Sequence, residues 1–254
     1  MIHPGLVSIT FRALTPAQVV ALVRSAGLRG IEWGGDIHVP HGNTARAREV
    51  RELTLEAGLT VAAYGSYYRA AQSEAAGLPF GHVLDSAIEL GAPTIRVWAG
   101  PAGSAACSPE LRAQVVADLR RITALAAAAR VTVSLEFHNG TLTDTAESTR
   151  RLLDEVGHPN LFTYWQPPLD RDTADCAADL RLLLPRVTHV HVYHWRPAST
   201  DRLPLADGAD RWREFLAIAA GAPGDRYAML EFVERDAPEC FLRDAATLKA
   251  WLTL

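Results

Sequence analysis

SPELRAQVVADLRRITALAAAARVTVSLEFHN (108–139) holds one complete helix-to-strand unit. Ser108 is a capping residue, Pro109 suits the first helical position, and Leu111, Val115, Leu119 and Ile122 recur at helical spacing. The run that follows changes period to two, with Thr132, Ser134 and Glu136 alternating against Val133 and Leu135. The same grammar extends outward in both directions. Strand-like runs precede it at LVSITF (6–11), GIEWGG (30–35), TVAAYGSYY (60–68) and TIRVWAG (94–100). Others follow at LFTYWQP (161–167), VTHVHVYHW (187–195) and YAMLEFV (227–233). TPAQVVALVRSAG (15–27) repeats the helix signature, with Thr15 as cap, Pro16 inside the start and Gly27 past the end. Eight strands, each followed by a helix at a spacing of roughly 30 residues, predict an α/β chain folded as one (β/α)8 TIM barrel over 1–254. The rival, an open doubly wound sheet, would carry G-x-G-x-x-G after its first strand, where this chain reads FRALTPAQ (11–18).

Composition removes several kinds of chemistry. The 254 residues are 48% hydrophobic and 21% charged, which is globular usage. No stretch approaches the ~18 unbroken apolar residues of a membrane span, and MIHPGLVSITFRAL (1–14) lacks the pattern of a signal peptide. The net charge of −4 and the absence of a basic run argue against nucleic acid as a partner. Three separated cysteines, Cys107, Cys176 and Cys240, fit a reducing cytoplasm and neither a disulfide framework nor a thiolate metal site. Of 25 basic residues only Lys249 is lysine, and it sits in a C-terminal helix pattern. Schiff-base, pyridoxal and P-loop chemistry, all of which need a placed lysine, are nearly excluded.

In a barrel the strands alternate lumen-facing and helix-facing residues, and chemistry gathers at their carboxyl ends. Here four successive strands turn polar at that end on the lumen side: Glu136 on the fifth, Gln166 beside Tyr164 on the sixth, His191 after His189 on the seventh, and Glu231 after Met229 on the eighth. Any one of these alone reads best as a carboxylate paired with arginine or a satisfied core histidine. Four at corresponding positions read better as a site for one divalent cation, because charged lumen groups are costly unless paired or bound to a cation. Oxygen and nitrogen donors without sulfur suit Mn²⁺, placed first, or Mg²⁺, Co²⁺ or Zn²⁺. Glu32 and Arg96 face the lumen by the same parity and read as a structural ion pair deeper in the barrel. Pocket walls are expected from Trp33 and His38 after the second strand, Tyr68 with Tyr64 and Tyr67 after the third, Trp98 ending the fourth, and His138 beyond Glu136. Aromatics at strand ends are as often core lids as sugar platforms.

LEFHN (135–139), HVHVYHWRP (189–197) with LPLADG (203–208), and AMLEF (228–232) stand in an order and at positions that resemble the xylose isomerase-like barrel superfamily of sugar isomerases and epimerases, across nearly the whole chain. The resemblance implies that Glu136 and Glu231 both ligate the metal and act as acid and base, that His191 is a ligand, and that Arg196 holds substrate oxygens. One departure stands out. The sixth strand of the family supplies an aspartate ligand, whereas YWQPPLD (164–170) offers Gln166, with Asp170 four residues further on as a substitute. A neutral amide in that place takes the site from three negative charges to two and weakens its hold on a hard cation. Leu169 replaces a substrate-contacting histidine of the family, so substrate recognition is expected to differ.

The expected activity is therefore a metal-dependent isomerase or epimerase of a small carbohydrate or polyol, working by proton abstraction next to a carbonyl through a stabilised enediolate. A dehydratase on the same scaffold, expelling a β-hydroxyl after the same abstraction, is the alternative within enzymes. A sugar-binding protein with a decayed site is the alternative outside them. An abasic-site endonuclease fits poorly, because the charge is negative and histidines are sparse at the strand ends. No phosphate loop stands out, which favours an unphosphorylated substrate. Barrels of this kind often dimerise, but no heptad or exposed apolar run identifies an interface.

Overall fold

The structure, a computed structural model, describes residues 1–253. Eight parallel strands close in sequence order into a barrel: β1 (Ile2–Val7), β2 (Gly30–Gly34), β3 (Thr60–Arg69), β4 (Thr94–Trp98), β5 (Thr132–Leu135), β6 (Leu161–Trp165), β7 (Val187–Val192) and β8 (Arg226–Leu230). Eight helices cover it: α1 (Pro16–Ser25), α2 (Thr44–Glu56), α3 (Phe80–Leu90), α4 (Pro109–Ala128), α5 (Ala146–Val156), α6 (Thr173–Leu183), α7 (Ala209–Ala220) and α8 (Pro238–Leu252). The expected (β/α)8 TIM barrel is the fold observed. Among the described residues no helix is long and apolar enough to cross a membrane.

The caps work as their residue types dictate. Thr15 forms a full capping box with Gln18 at the start of α1, and Ser108 accepts from the Leu111 N–H at the start of α4. Outside the barrel, the alternate strand residues pack on the apolar stripes of the helices in one continuous core. Inside it, Val7, Ile9, Ala62, Ala63, Tyr164 and Met229 form a second, smaller cluster that plugs the lumen. Below the mouth, a chain of hydroxyls runs from Thr94 through Ser134, both buried, to the half-buried Thr188.

The first strand lies earlier than LVSITF suggests. Pairing with β8 begins at Ile2 opposite Arg226, and Ser8–Phe11 coils into a single 3-10 turn. Ser8 bends the chain there because its Oγ accepts the Gly34 N–H and also meets His38 Nδ1, so the β-branched residues after it leave the sheet. The last three strands, like β5, are also shorter than their apolar runs. Glu136, Gln166 and Glu231 each stand one residue beyond β5, β6 and β8, while His191 is the penultimate residue of β7. That common height at the carboxyl ends brings them together.

Candidate metal centre

Glu136, His191 and Glu231 are all buried, and each offers a ligand atom within 4.8 Å of the other two. In an octahedral site with bonds of about 2.1 Å, opposed donors lie about 4.2 Å apart, so a small inward movement would close this set on one cation. Gln166 Oε1 lies 3.0 Å from His191 Nδ1, and Glu231 Oε2 lies 3.4 Å from the same nitrogen. The four residues expected to form the site thus do converge. Asp170 is not among them.

Beneath this cluster lies the Glu32–Arg96 pair, almost wholly buried. Arg96 Nε donates to Glu32 Oε1 at 2.7 Å. It is more than a structural pair deep in the barrel, since Arg96 Nη1 also donates to Glu136 Oε2, to which the Trp98 indole N–H donates as well. Glu32 Oε2 faces His191 Nε2 at 3.7 Å, and neither atom has a hydrogen-bond partner. This carboxylate–imidazole contact orients Nδ1 toward Gln166 and Glu231.

The electrostatics leave a negative balance that a cation would offset. With the imidazole neutral, Glu32, Glu136 and Glu231 set three negative charges against the one positive charge of Arg96, a net of −2 in a buried space. Burial pushes the His191 imidazole toward neutrality, but the Glu231 and Glu32 carboxylates outweigh it and raise the pKa to about 10. Burial likewise opposes ionisation of Glu32, yet Arg96 and then His191 hold it well below the usual carboxylate range. Without a metal the charged imidazole supplies part of the missing positive charge. The donor set and the deficit both fit one divalent ion held by Glu136, Gln166, His191 and Glu231.

The mouth above is a cavity of about 290 Å³ lined by His138, Gln166, Pro167, Tyr193 and Trp195, among others. His138 and Trp98 belong here, their rings stacked at 5.0 Å. His138 Nδ1 lies 2.6 Å from the Asn139 carbonyl, which can only accept, so Nδ1 carries the proton and Nε2 the lone pair. The other expected wall residues lie elsewhere. Trp33 is fully buried on the helix side of β2, its indole N–H donating to Thr54 of α2. His38 packs edge-on against Trp33, with both ring nitrogens engaged by Ser8 Oγ and the Leu14 carbonyl. Tyr68 points outward to Asp118 of α4. Its neighbour Tyr67 takes the inward place, at φ 55°, bonded to Arg12 and edge-on to Trp98. Arg196 is exposed in the loop after β7, and its side chain meets no partner among the described residues.

Sequence reasoning passed over Arg69, Tyr193 and Trp195. Arg69 lies against the Trp98 ring at 4.0 Å, and Tyr193 stacks on Trp195 at 3.6 Å over the far side of the mouth. Arg69 shares the parity of Gly65 and Tyr67, which was the available signal.

Fold and site together define a (β/α)8 barrel with a buried carboxylate–imidazole cluster, able to hold a metal ion, at the carboxyl ends of its strands. Residues 20–251 match the sequence model of the xylose isomerase-like TIM barrel family, and the chain belongs to that family. It is 31% identical over 168 residues to the 3-dehydroshikimate dehydratase of Bacillus anthracis, a match covering 57% of this chain and 58% of that protein. The crystal structure of a probable 3-DHS dehydratase involved in petrobactin synthesis, also from Bacillus anthracis, superposes with a TM-score of 0.81 at 25% identity, covering 98% of this chain and 99% of that one. A D-allulose 3-epimerase from Methylomonas shares the fold with a TM-score of 0.73 at 14% identity, covering 98% of each chain. The named relatives are thus enzymes of two kinds, a dehydratase and an epimerase.

Proposed function

We propose that the protein is a divalent-metal-dependent dehydratase of small polyhydroxylated carbonyl compounds, removing a proton next to the carbonyl and expelling a β-hydroxyl. This places the lyase ahead of the isomerase or epimerase that the motifs first suggest. The observation that carries it is the engagement of the two carboxylates. Glu136 accepts from Arg96 and Trp98, and Glu231 is turned onto His191. His138 is then the titratable side chain on the cavity wall with a free basic nitrogen, because the Tyr193 hydroxyl donates to the Pro167 carbonyl. Epimerisation needs proton exchange on two faces of one carbon, whereas elimination can be served by one base. The similarity to a 3-dehydroshikimate dehydratase points the same way.

A divalent cation in the cradle would supply Lewis-acid polarisation of the substrate carbonyl, making the adjacent C–H acidic. His138 Nε2 takes that proton, while the Nδ1–H bond to Asn139 holds the ring in the required tautomer. The imidazolium then returns the proton to the departing β-hydroxyl, so that water leaves as the carbon–oxygen bond breaks. Trp98 beneath the ring keeps His138 in place and excludes water from one side.

The test is direct. Protein supplied with Mn²⁺ and 3-dehydroshikimate should yield 3,4-dihydroxybenzoate, one water lighter, by mass spectrometry. Unchanged 3-dehydroshikimate, together with carbon-bound deuterium gained by a ketose in D₂O, would return the reading to an epimerase. His138→Asn should lower kcat by about a hundredfold or more with Mn²⁺ content unchanged. Gln166→Asp restores a third carboxylate to the ligand set, and titration calorimetry should show Mn²⁺ binding tighter by about tenfold.

A further inference from the structure

Arg69 ends β3 and pairs in register with Trp98 at the end of β4. Its guanidinium lies over the Trp98 ring, 4.0 Å from the centroid, so it adjoins the indole whose N–H reaches Glu136. One N–H is used, donating to the Gly100 carbonyl at 3.1 Å. No carboxylate lies within ion-pair distance of it among the described residues. The other arginines of the mouth are differently placed. Arg12 pairs with Asp36, Arg202 with Asp236, and Arg96 with Glu32 and Glu136, while Arg196, also unpaired, is exposed in the loop after β7. Arg69 is also half-buried, and burial lowers its pKa even though the Glu136 carboxylate works to raise it. A cation at the carboxyl end of a barrel strand, stripped of part of its water and given no counter-ion by the protein, is arranged to receive one from a ligand.

We propose that Arg69 seats a carboxylate of the substrate, and that the site therefore selects anionic polyhydroxy compounds over neutral sugars. The contact with Trp98 and the bond to the Gly100 carbonyl hold the guanidinium, leaving its remaining N–H groups to meet a carboxylate. The inference rests on the dehydratase reading for where the substrate lies, and it adds the charge that the substrate must carry.

The probes are 3,4-dihydroxybenzoate and catechol, which differ only by the carboxylate, titrated calorimetrically into Mn²⁺-supplied protein. Wild type should bind the carboxylate-bearing probe about thirtyfold more tightly, the range of one charge-assisted pair. Arg69→Gln should bring the two probes within about threefold of each other while leaving catechol affinity unchanged, and Arg69→Lys should restore part of the difference. A merely structural Arg69 would instead weaken both probes alike. Arg69→Gln retaining full discrimination, or wild type showing none, would overturn the proposal. Persistent discrimination in a protein that fails to convert 3-dehydroshikimate would overturn the dehydratase reading alone and uphold the carboxylate seat.

Discussion

His191→Ala is expected to strip the protein of bound Mn²⁺ and to lower dehydratase turnover by about a thousandfold or more. The expectation follows from where its Nδ1 stands. It is the fully buried atom toward which Gln166 Oε1 and Glu231 Oε2 both turn, while its Nε2 faces Glu32. Removing the ring deletes a donor and also separates Glu231 from the buried network below it. Glu32 and Glu231 would then share a space without the group that screens them from each other, and one would take up a proton in place of the metal. Metal content after dialysis against Mn²⁺, read with circular dichroism to confirm the fold, decides the matter. Stoichiometric Mn²⁺ and wild-type turnover in the variant would show that the cation, if the reaction uses one, sits elsewhere. Glu136→Gln makes a useful companion. It keeps a side chain of the same shape for Arg96 and Trp98 to hold, and removes only the charge.

The carboxylate–imidazole cluster was legible because it obeys strand periodicity. Glu136, His191 and Glu231 sit at lumen parity near the ends of β5, β7 and β8, and a period of two is the strongest statement a strand sequence makes. Glu32 and Arg96 were readable on the same grounds. Their bond to each other follows from parity, but Arg96 reaching up to Glu136 depends on the length and rotamer of one side chain. Tyr68 shows how a polar-looking run can be read on the wrong parity. The register between β3 and β4 shifts between Gly65 and Arg69, and Tyr67 adopts a left-handed φ of 55° within that stretch. Alternation from Gly65 still puts Tyr67 on the lumen side and Tyr68 on the helix side, so Tyr68 was a misreading of parity and not a failure of it. Trp33, by contrast, lay on the outward parity opposite Glu32, and its size rather than its position suggested a pocket. His38 and Arg196 belong to loops, whose course is set by hydrogen bonds that no spacing records, such as those His38 makes with Ser8 Oγ and the Leu14 carbonyl.

Glu32→Leu should be the most destabilising substitution near the site, costing about 3–5 kcal/mol in urea unfolding. Arg96 is only 1% exposed, and its charge is balanced by Glu32 and Glu136 together. Taking Glu32 away leaves one carboxylate to balance a guanidinium that cannot reach water, and a leucine there offers its Nε no acceptor. The space allows little relief. Gly65 lies so close that a Cβ on it would come within 2.7 Å of both Arg96 Nη2 and Glu32 Oε1, so neither side chain can swing toward β3. The double variant Glu32→Leu with Arg96→Met discriminates between a lost pair and a lost shape. If the cost is that of an orphaned charge, removing the guanidinium should recover most of the stability, since well-packed apolar groups often replace a buried ion pair at little loss. Turnover should not recover, because Glu136 loses a donor that holds it and His191 loses the carboxylate behind it. A double variant no more stable than Glu32→Leu would mean that packing around β2 and β4, and not the charge of Arg96, sets the penalty.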